Sequence, residues 1–363
     1  MKKDNKKAPV APECSSALAT HSVGSKNPKL QAYTIKSEQE LQAELEKELE
    51  NKFTPKKQKS EKLSETYSEI ASLSRSADAD GCIKQTPTSK KFYRKSGRVL
   101  QCGSFLEFYQ FPDKNKLHYA NFCKDRLCPM CNWRRSMKIF SQLSDVIAEM
   151  KRRPEFKNSV FVFLTLTIRN MEGQDLNQAI SDMLEGWRRL YNKNKAFKNG
   201  YILGSYRTME ITYNREKQTY HPHLHVILAV TPEYFKKGYI SQDQWCNIWQ
   251  SCMKLDYKPI CFIEKTYRKN QSIIAEELEA AKYAAKDSDY LSSPEVTKIF
   301  SEALEGRQLV GFTGCFAKIR RDLGHDDAED GDLVHTTNEL ETEVQFAIVR
   351  LQWKNGIYER KPE

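Results

Sequence analysis

Three histidines alternate with other residues in the stretch Tyr220–Leu228, which reads YHPHLHVIL. Side chains along a β-strand point alternately to its two faces, so His221, His223 and His225 would share one face. Pro222 lacks an N–H group, which indicates that one ladder hydrogen bond is missing at this end of the strand. The stretch therefore predicts a strand with an apolar face and an imidazole face.

The preceding segment, Tyr201–Tyr213, predicts a second strand, and the polar residues between the two strands predict a hairpin turn. If that turn is centred, Glu210 lies opposite His223, with Cβ atoms about 4.5–5.5 Å apart. Glu210, His223 and His225 then form a divalent metal site, and the oxygen ligand suits Mg²⁺ or Mn²⁺. His221 is the weakest candidate and would orient its neighbours. The alternative is three hydrogen-bonded histidines on a solvated sheet face; their alternation with an opposed glutamate favours the metal.

The segments around this hairpin alternate between strands and helices. Further strands are predicted at 160–168 and 260–265, and helices at 131–153, 176–191, 242–253 and 273–286. From residue 160 onward, the order strand–helix–strand–strand–helix–strand is that of a split βαβ layer. The predicted fold class is α+β, a ferredoxin-like palm whose antiparallel sheet is covered by helices on one face.

The helix predicted at 273–286 carries a second chemical signal within ELEAAKYAAKDSDYL. Glu279 and Tyr283 are four residues apart and share a helical face. A phenol is a weak nucleophile until its anion is stabilised, and Lys282 and Lys286 flank Tyr283. Glu279 could activate water as a general base. The alternative is an amphipathic helix with a half-buried tyrosine, which this helix alone favours. Tyr290 is the competing nucleophile.

Four cysteines have spacing typical of a metal site. Cys123, Cys128 and Cys131 follow the pattern Cys-x₄-Cys-x₂-Cys, and Cys102 is the best fourth ligand. Four thiolates in a reducing compartment predict a tetrahedral structural Zn²⁺, a zinc knuckle. His118 is an alternative to Cys102, and buried free cysteines are the alternative to a metal; the spacing favours zinc.

Basic residues crowd the same segment around Trp133. They are Arg126, Arg134, Arg135 and Lys138. A basic surface with an aromatic residue predicts DNA contacts. The alternative is a solvated helix start.

Composition divides the 363-residue chain and limits its function. The predicted parts are a mostly disordered tail (1–90), a zinc-knuckle segment with its helix (91–153), the palm (154–322), a flexible acidic linker (323–343) and a C-terminal hairpin (344–363). Within the tail, a solvated helix is predicted from Ser37 to Phe53, with Glu40 completing a capping box. The net charge of +10 favours a polyanionic partner such as nucleic acid. No apolar run reaches transmembrane length and no secretory signal is evident, so a cytoplasmic protein without a membrane partner is expected.

Together, VFLTLT at 162–167, the Glu210 and HPHLHVIL hairpin, and EAAKYAAKDSDYL resemble the three ordered motifs of rolling-circle replication initiators. More narrowly, the chain is similar to the Rep proteins of small Gram-positive plasmids within the His-hydrophobic-His (HUH) endonuclease superfamily. The segment CKDRLCPMCNWRRSMK adds to the likeness, which runs from about residue 97 to 315. Three motifs in order are specific, whereas any one alone would not be.

The resemblance implies an HUH fold and a role for each matching residue. His223 and His225 match the metal-binding pair, and Glu210 is implied as third ligand. Tyr283 matches the nucleophile that leaves a 5′-phosphotyrosine and a free 3′-hydroxyl primer, and Glu279 matches the carboxylate that acts at termination. This chemistry would make the protein a metal-dependent, site-specific DNA endonuclease and strand transferase, a nickase.

Partners follow from the same resemblance. Plasmid origin DNA, single-stranded or in a cruciform at the nick site, would be the substrate. No GxxxxGK[ST] motif for ATP binding occurs, so a host helicase would separate the strands, alongside a host polymerase and single-strand binding protein. The oligomeric state is left open, with a homodimer as one alternative.

Two other functions compete with this one. A mobilisation relaxase usually places its tyrosine before the histidines, and a single-tyrosine transposase is usually shorter and lacks the cysteine knuckle. The third hypothesis is a non-catalytic zinc DNA-binding protein whose histidines hold nothing.

Overall fold

A computed structural model of the protein describes residues 36–77, 82–265, 285–336 and 347–361. Within these ranges, the helices are α1 (Glu38–Glu48), α2 (Thr54–Leu73), α3 (Pro87–Gln101), α4 (Pro129–Arg152), α5 (Gly173–Lys193), α6 (Lys195–Lys198), α7 (Tyr234–Lys237), α8 (Gln242–Met253), α9 (Asp287–Tyr290), α10 (Pro294–Leu304) and α11 (Gly314–Asp322). The strands are β1 (Arg75–Ala77), β2 (Ile83–Gln85), β3 (Phe105–Gln110), β4 (Asn115–Ala120), β5 (Val160–Thr167), β6 (Ile202–Asn214), β7 (Thr219–Val230), β8 (Cys261–Lys265), β9 (Val310–Thr313), β10 (Ala347–Lys354) and β11 (Ile357–Arg360).

The largest sheet has five strands in the order β8-β5-β7-β6-β9, and all of its neighbours are antiparallel. β7 lies between β5 and β6, which are joined through α5, and this is the split βαβ arrangement. The predicted α+β class and antiparallel sheet are therefore confirmed. The short edge strand β9 was not predicted.

Helices α5 and α8 pack against each other and cover the apolar face of this sheet. Residues at helical spacing on α5 are fully or almost fully buried: Leu176, Ile180, Met183, Trp187 and Leu190. A capping box of Ser241 and Gln244 begins α8, whose ends agree with the sequence prediction. The indole Nε1 of Trp249 donates to the Thr167 carbonyl at 2.9 Å and ties α8 to β5. Burying each large apolar side chain contributes about 1.5–3 kcal/mol.

The register of β6 and β7 agrees with the centred turn. Glu210 pairs with His223 and Thr208 with His225. On the other side of β7, the pairing with β5 ends at His223, so Pro222 lies just beyond the last pair. This position tolerates the missing N–H and accounts for a proline in a central strand.

The C-terminal hairpin belongs to a second sheet, in the order β11-β10-β3-β4. Its turn has Asn355 at φ 52° and Gly356 at φ 85°, the two positive φ values that favour these residue types in a tight hairpin. The hairpin itself was predicted, but its pairing with β3 was not. The Tyr358 hydroxyl donates to the Gly103 carbonyl at 2.7 Å and fixes the hairpin to the cysteine segment.

The N-terminal region differs from the prediction of a disordered tail for residues 36–77 and 82–90. The predicted capping box of Ser37 and Glu40 is present, and the helix continues through a π-helical turn, Leu49–Phe53, into α2. Phe53, Leu63 and Tyr67 of this segment are buried in the main core. The prediction was wrong because the region has a low content of apolar residues. The few that it has lie on one face of the helix and are buried together.

Helix α3 includes residues 99–101, and strand β3 begins only at Phe105. One further local prediction was wrong. The acidic residues 324–336, predicted to be flexible, pack along α4, with Ala328, Glu329 and Leu333 buried. None of the described helices is both long and apolar enough to cross a membrane.

The contacts between the acidic segment and α4 occupy the basic side chains of the helix. Arg135, which is 0% exposed, donates to the carbonyls of Glu329 at 2.9 Å, Asp125 at 2.9 Å and Lys124 at 2.5 Å. Lys138 donates to Asp326 Oδ2 at 2.5 Å. A planar guanidinium with several donors suits this bridging of separate loops.

We expect Arg135→Ala to lower the free energy of unfolding by about 2–4 kcal/mol, because it leaves buried carbonyls without a donor. The measurement is urea denaturation followed by circular dichroism. The matched control is Arg188→Ala, which removes an exposed arginine paired with Glu185 on the surface of α5. This control should leave the urea denaturation midpoint unchanged. Equal midpoints for the two variants would contradict a structural role for Arg135.

Candidate active site

The paired strands β6 and β7 bring Glu210, His223 and His225 together, as the sequence predicted. Glu210 Oε2 lies 3.3 Å from His223 Nε2 and 3.1 Å from His225 Nε2. One ligand atom from each residue lies within 4.8 Å of the others. The two histidine side chains are only 11% and 12% exposed, so the group forms a recessed patch on the sheet face.

Contacts behind each imidazole orient its Nε2 toward Glu210. His223 Nδ1 lies 3.3 Å from the His221 carbonyl, and His225 Nδ1 lies 3.4 Å from Thr165 Oγ1. Phe163 stacks on the His225 ring with centroids 5.5 Å apart. Such contacts fix ring orientation and tautomer in metal sites. The His221 side chain is not among the converging ligand atoms.

The electrostatics of the group favour a cation. Hydrogen bonds from His223 and His225 hold the pKa of the Glu210 carboxyl far below its usual range, despite the opposing effect of burial. Glu210 is therefore an anion, and if a metal ion replaced the two N–H protons, both imidazoles would present their Nε2 lone pairs to the same point. Two nitrogens, one oxygen and an open side fit a divalent ion that keeps water or substrate as further ligands.

A cavity of about 300 Å³ opens beside Glu210, between the sheet and α4. Its wall is formed by Lys56, Pro129, Asn132, Trp133, Ser136, Glu210, Ala285, Lys286, Asp287 and Tyr290. Two lysines, Lys56 and Lys286, therefore line the cavity that carries the carboxylate of the candidate metal site. This combination of a cation site and two lysines suits a phosphate group.

The cavity contains residues that the sequence did not single out. Lys56 carried no motif and falls in the tail that was predicted to be mostly disordered, and Asn132 was quoted only as part of the segment CKDRLCPMCNWRRSMK. The charge of Lys56 was visible in the sequence, but its position depends on the packing of α2 against α4.

The residues predicted for nucleophilic chemistry are described only in part. Glu279, Lys282 and Tyr283 lie outside the described residues. Lys286 lines the cavity, as does Ala285, which follows Tyr283 by two positions in the sequence.

The competing nucleophile, Tyr290, is 1% exposed. Its hydroxyl donates to the Leu127 carbonyl at 2.6 Å. Burial raises the pKa of this phenol well above its usual range, which disfavours the phenolate that attack requires. The structure therefore gives Tyr290 a packing role.

The four cysteines also converge. The sulfur atoms of Cys102 and Cys131 lie 3.5 Å apart, those of Cys123 and Cys131 3.7 Å, and those of Cys128 and Cys102 3.5 Å. A tetrahedral zinc ion with Zn–S bonds of about 2.3 Å places sulfurs about 3.8 Å apart, so the cluster fits that ion. The alternative ligand His118 instead stacks on Tyr109 with centroids 3.7 Å apart.

Helix α2 completes the surroundings of the cysteine cluster. Ser60 Oγ lies 3.3 Å from Cys128 Sγ. Burial lowers the pKa of Lys57, while Glu61 and the nearby thiols oppose that shift. A buried ammonium beside four thiolates would offset part of their negative charge once a metal is bound.

The prediction of a DNA-contact surface at Arg126, Arg134, Arg135 and Lys138 is not supported by the structure. Arg134 donates to the carbonyls of Leu333 and Val334, and Arg126 pairs with Glu329 and Asp330. With Arg135 and Lys138, these side chains hold the acidic segment 324–336. The sequence suggested nucleic acid because it showed the charges without their partners.

Comparison with known proteins identifies the family. The model of the replication protein family matches residues 114–359, more than half of the chain. The chain belongs to the replication protein family. Among its relatives, a Rep protein of a Bacillus species is 37% identical over 289 residues, covering 73% of this chain and 92% of the relative.

Other Rep proteins are similarly close. The protein from Bacillus amyloliquefaciens is 38% identical over 289 residues, covering 73% of this chain and 84% of the relative. The protein from Streptococcus pneumoniae is 38% identical over 249 residues, covering 67% and 76%. No solved structure matches the chain. The resemblance to plasmid Rep proteins is thus confirmed.

We expect the purified protein to contain one zinc ion per chain and Cys128→Ser to lose it, because three thiolates and an alcohol bind zinc more weakly than four thiolates. Structural zinc supplies folding free energy, so the thermal midpoint should fall as well. Elemental analysis and thermal unfolding are the measurements. Cys82→Ser, at an exposed cysteine outside the cluster, is the control. A full zinc complement in Cys128→Ser would rule out this ligand set.

Proposed function

We propose that this protein initiates rolling-circle replication of a plasmid as an HUH-type, site-specific DNA nickase and strand transferase, with the five-stranded sheet as its palm. One observation carries the proposal. Glu210, whose carboxylate meets His223 and His225, lines the same cavity as Ala285, two positions after Tyr283. A cation bound at Glu210, His223 and His225 and the hydroxyl of Tyr283 would then act on the same phosphate group.

In the proposed reaction, the Tyr283 hydroxyl gives its proton to solvent water, and its oxygen attacks the scissile phosphorus. The bond from phosphorus to the 3′ oxygen breaks, and that oxygen takes up a proton. The products are a 5′-phosphotyrosine and a free 3′-hydroxyl that primes synthesis. One phosphate ester replaces another, so strand transfer back to a 3′-hydroxyl needs no ATP.

The other residues of the cavity would bind the metal ion and the phosphate oxygens. Glu210, His223 and His225 would hold Mg²⁺ or Mn²⁺, which supplies charge stabilisation at a phosphate. Lys56 and Lys286 line the cavity where the non-bridging phosphate oxygens would lie, and their ammonium groups add positive charge there. The cysteine cluster, as a structural Zn²⁺ site, would hold α4 and α2 in place beside the cavity.

Origin DNA is the proposed substrate, single-stranded or extruded as a cruciform at the nick site. Strand separation, synthesis and protection of the displaced strand are assigned to a host helicase, polymerase and single-strand binding protein. Glu279 would activate water, or the incoming strand, when replication terminates.

We expect Tyr283→Phe to abolish the covalent adduct formed with single-stranded origin DNA and Mn²⁺, a loss of at least about 10³-fold, because the attacking oxygen is gone. The adduct is read as a shifted band on a denaturing gel. The matched control is Tyr290→Phe, which removes a buried hydroxyl that donates to a backbone carbonyl. It should keep the adduct while losing about 1 kcal/mol of stability.

Adduct formation that survives Tyr283→Phe would move the nucleophile to another residue. Absence of an adduct from the parent protein, with origin binding intact, would favour the zinc-bearing DNA-binding module over the enzyme.

We expect Glu279→Ala to keep the first nicking step and to weaken hydrolytic release at termination, by roughly 10²–10⁴-fold, because only the second step needs a base for water. Single-turnover assays on separate nicking and termination substrates measure the two steps. Equal loss of both steps would show that Glu279 supports the first cleavage instead.

A further inference from the structure

A second basic region lies at the other end of the sheet from the metal-binding group. It is a cavity of about 790 Å³ formed by the C-terminal end of α5, one face of α8, α6, and the loops next to Tyr201 and Tyr239. We call it the lysine cavity. β7 carries His225 near its middle and ends at Val230. At about 3.3 Å per residue, the strand end lies roughly 17 Å beyond that histidine.

All the charged residues that line the lysine cavity are positively charged. Its cationic lining residues are Arg189, Lys193, Lys195, Lys237 and Lys254. No aspartate or glutamate is among the lining residues. The four lysines are exposed, and none of them forms an ion pair with another residue in the described part of the chain. Arg189 is anchored, since it donates to the Cys252 carbonyl at 2.6 Å and pairs with Glu185.

This unpaired charge contrasts with the basic residues of α4, which hold the acidic segment. Four ammonium groups without carboxylate partners, placed around one concave surface, match a ligand that carries several negative charges at regular spacing. DNA presents about one phosphate charge per 1.7 Å of duplex axis. Tyr239, which is 57% exposed at the rim, adds an aromatic surface that can pack against a sugar or base.

We propose that the lysine cavity binds the phosphate backbone of the origin DNA that flanks the nick site. The proposal rests on the proposed function, because that function places the scissile phosphate at Glu210, His223 and His225. Along the strand the two sites are displaced by about 17 Å, the rise of roughly five base pairs, and the DNA would pass around the end of the sheet from the imidazole face to the helix-covered side. The lysine cavity would therefore contribute affinity and register, while the metal-binding group performs the cleavage.

The test replaces all four lysines, as Lys193→Gln, Lys195→Gln, Lys237→Gln and Lys254→Gln together. The control variant has the same change in net charge at exposed positions elsewhere: Lys62→Gln, Lys90→Gln, Lys151→Gln and Lys354→Gln. Binding to a long origin duplex is measured over a series of salt concentrations. Covalent adduct formation is measured separately, with a short single-stranded oligonucleotide confined to the nick site.

For the cavity variant, we expect the slope of log affinity against log salt to become shallower by about 3 to 4, since each lost phosphate contact removes about 0.9. The control variant should keep the parent slope, and both variants should form the adduct with the short oligonucleotide at the parent rate. A slope for the cavity variant equal to that of the control would overturn the proposal, as an acidic protein partner in place of DNA would predict.

The binding measurement needs no cleavage, so it separates this inference from the proposed function. Failure of the parent protein to form any adduct would count against the nickase, whereas the salt slopes would still report on the lysine cavity. Should the fourfold variant unfold at a lower temperature than the control, Lys237→Gln with Lys254→Gln provides a smaller test with an expected slope change of about 2.

Discussion

The pairing of Glu210 with His223 across β6 and β7 is the constraint on which the candidate active site depends. A shift of one residue would turn Glu210 to the opposite face, because strand side chains alternate. That opposite face already forms part of the hydrophobic core, since Leu224 and Val226 are completely buried beneath the helices. The hydrophobic core therefore selects the same register that brings Glu210, His223 and His225 together, and these candidate ligands need no separate structural element to position them.

A second constraint is the distribution of positive charge. The chain carries a net charge of +10, but that sum does not say which basic residues remain open to a partner. Arg134, Arg135 and Lys138 are buried against the acidic segment, where they bind carbonyls and carboxylates of the same chain. The unpaired lysines lie around a different surface. Solvent-exposed charge without a partner, more than local density of basic residues in the sequence, indicates where an anion can bind.

Much of the sheet and of its site could be predicted from the sequence, for physical reasons that differ from element to element. The period-two pattern around His223 and the polar turn fixed both the strands and their register, and the spacing of Cys123, Cys128 and Cys131 indicated the cluster. The packing of α2 against that cluster could not be predicted, since its sequence is mostly polar and only tertiary contacts bury its few apolar residues. The position of the acidic segment could not be predicted either, because composition does not reveal ion pairs between residues about 200 positions apart.

The four-stranded sheet has a consequence for the order in which the chain folds. Arg350 of β10 contacts Glu107 of β3 across a sequence separation of 243 residues. Closing so long a loop costs more chain entropy than joining neighbouring strands, and contacts of this kind slow folding. The four cysteines, in contrast, fall within a short stretch of chain and can meet early. The cysteine cluster would thus form early, before β3 pairs with β10 of the C-terminal hairpin.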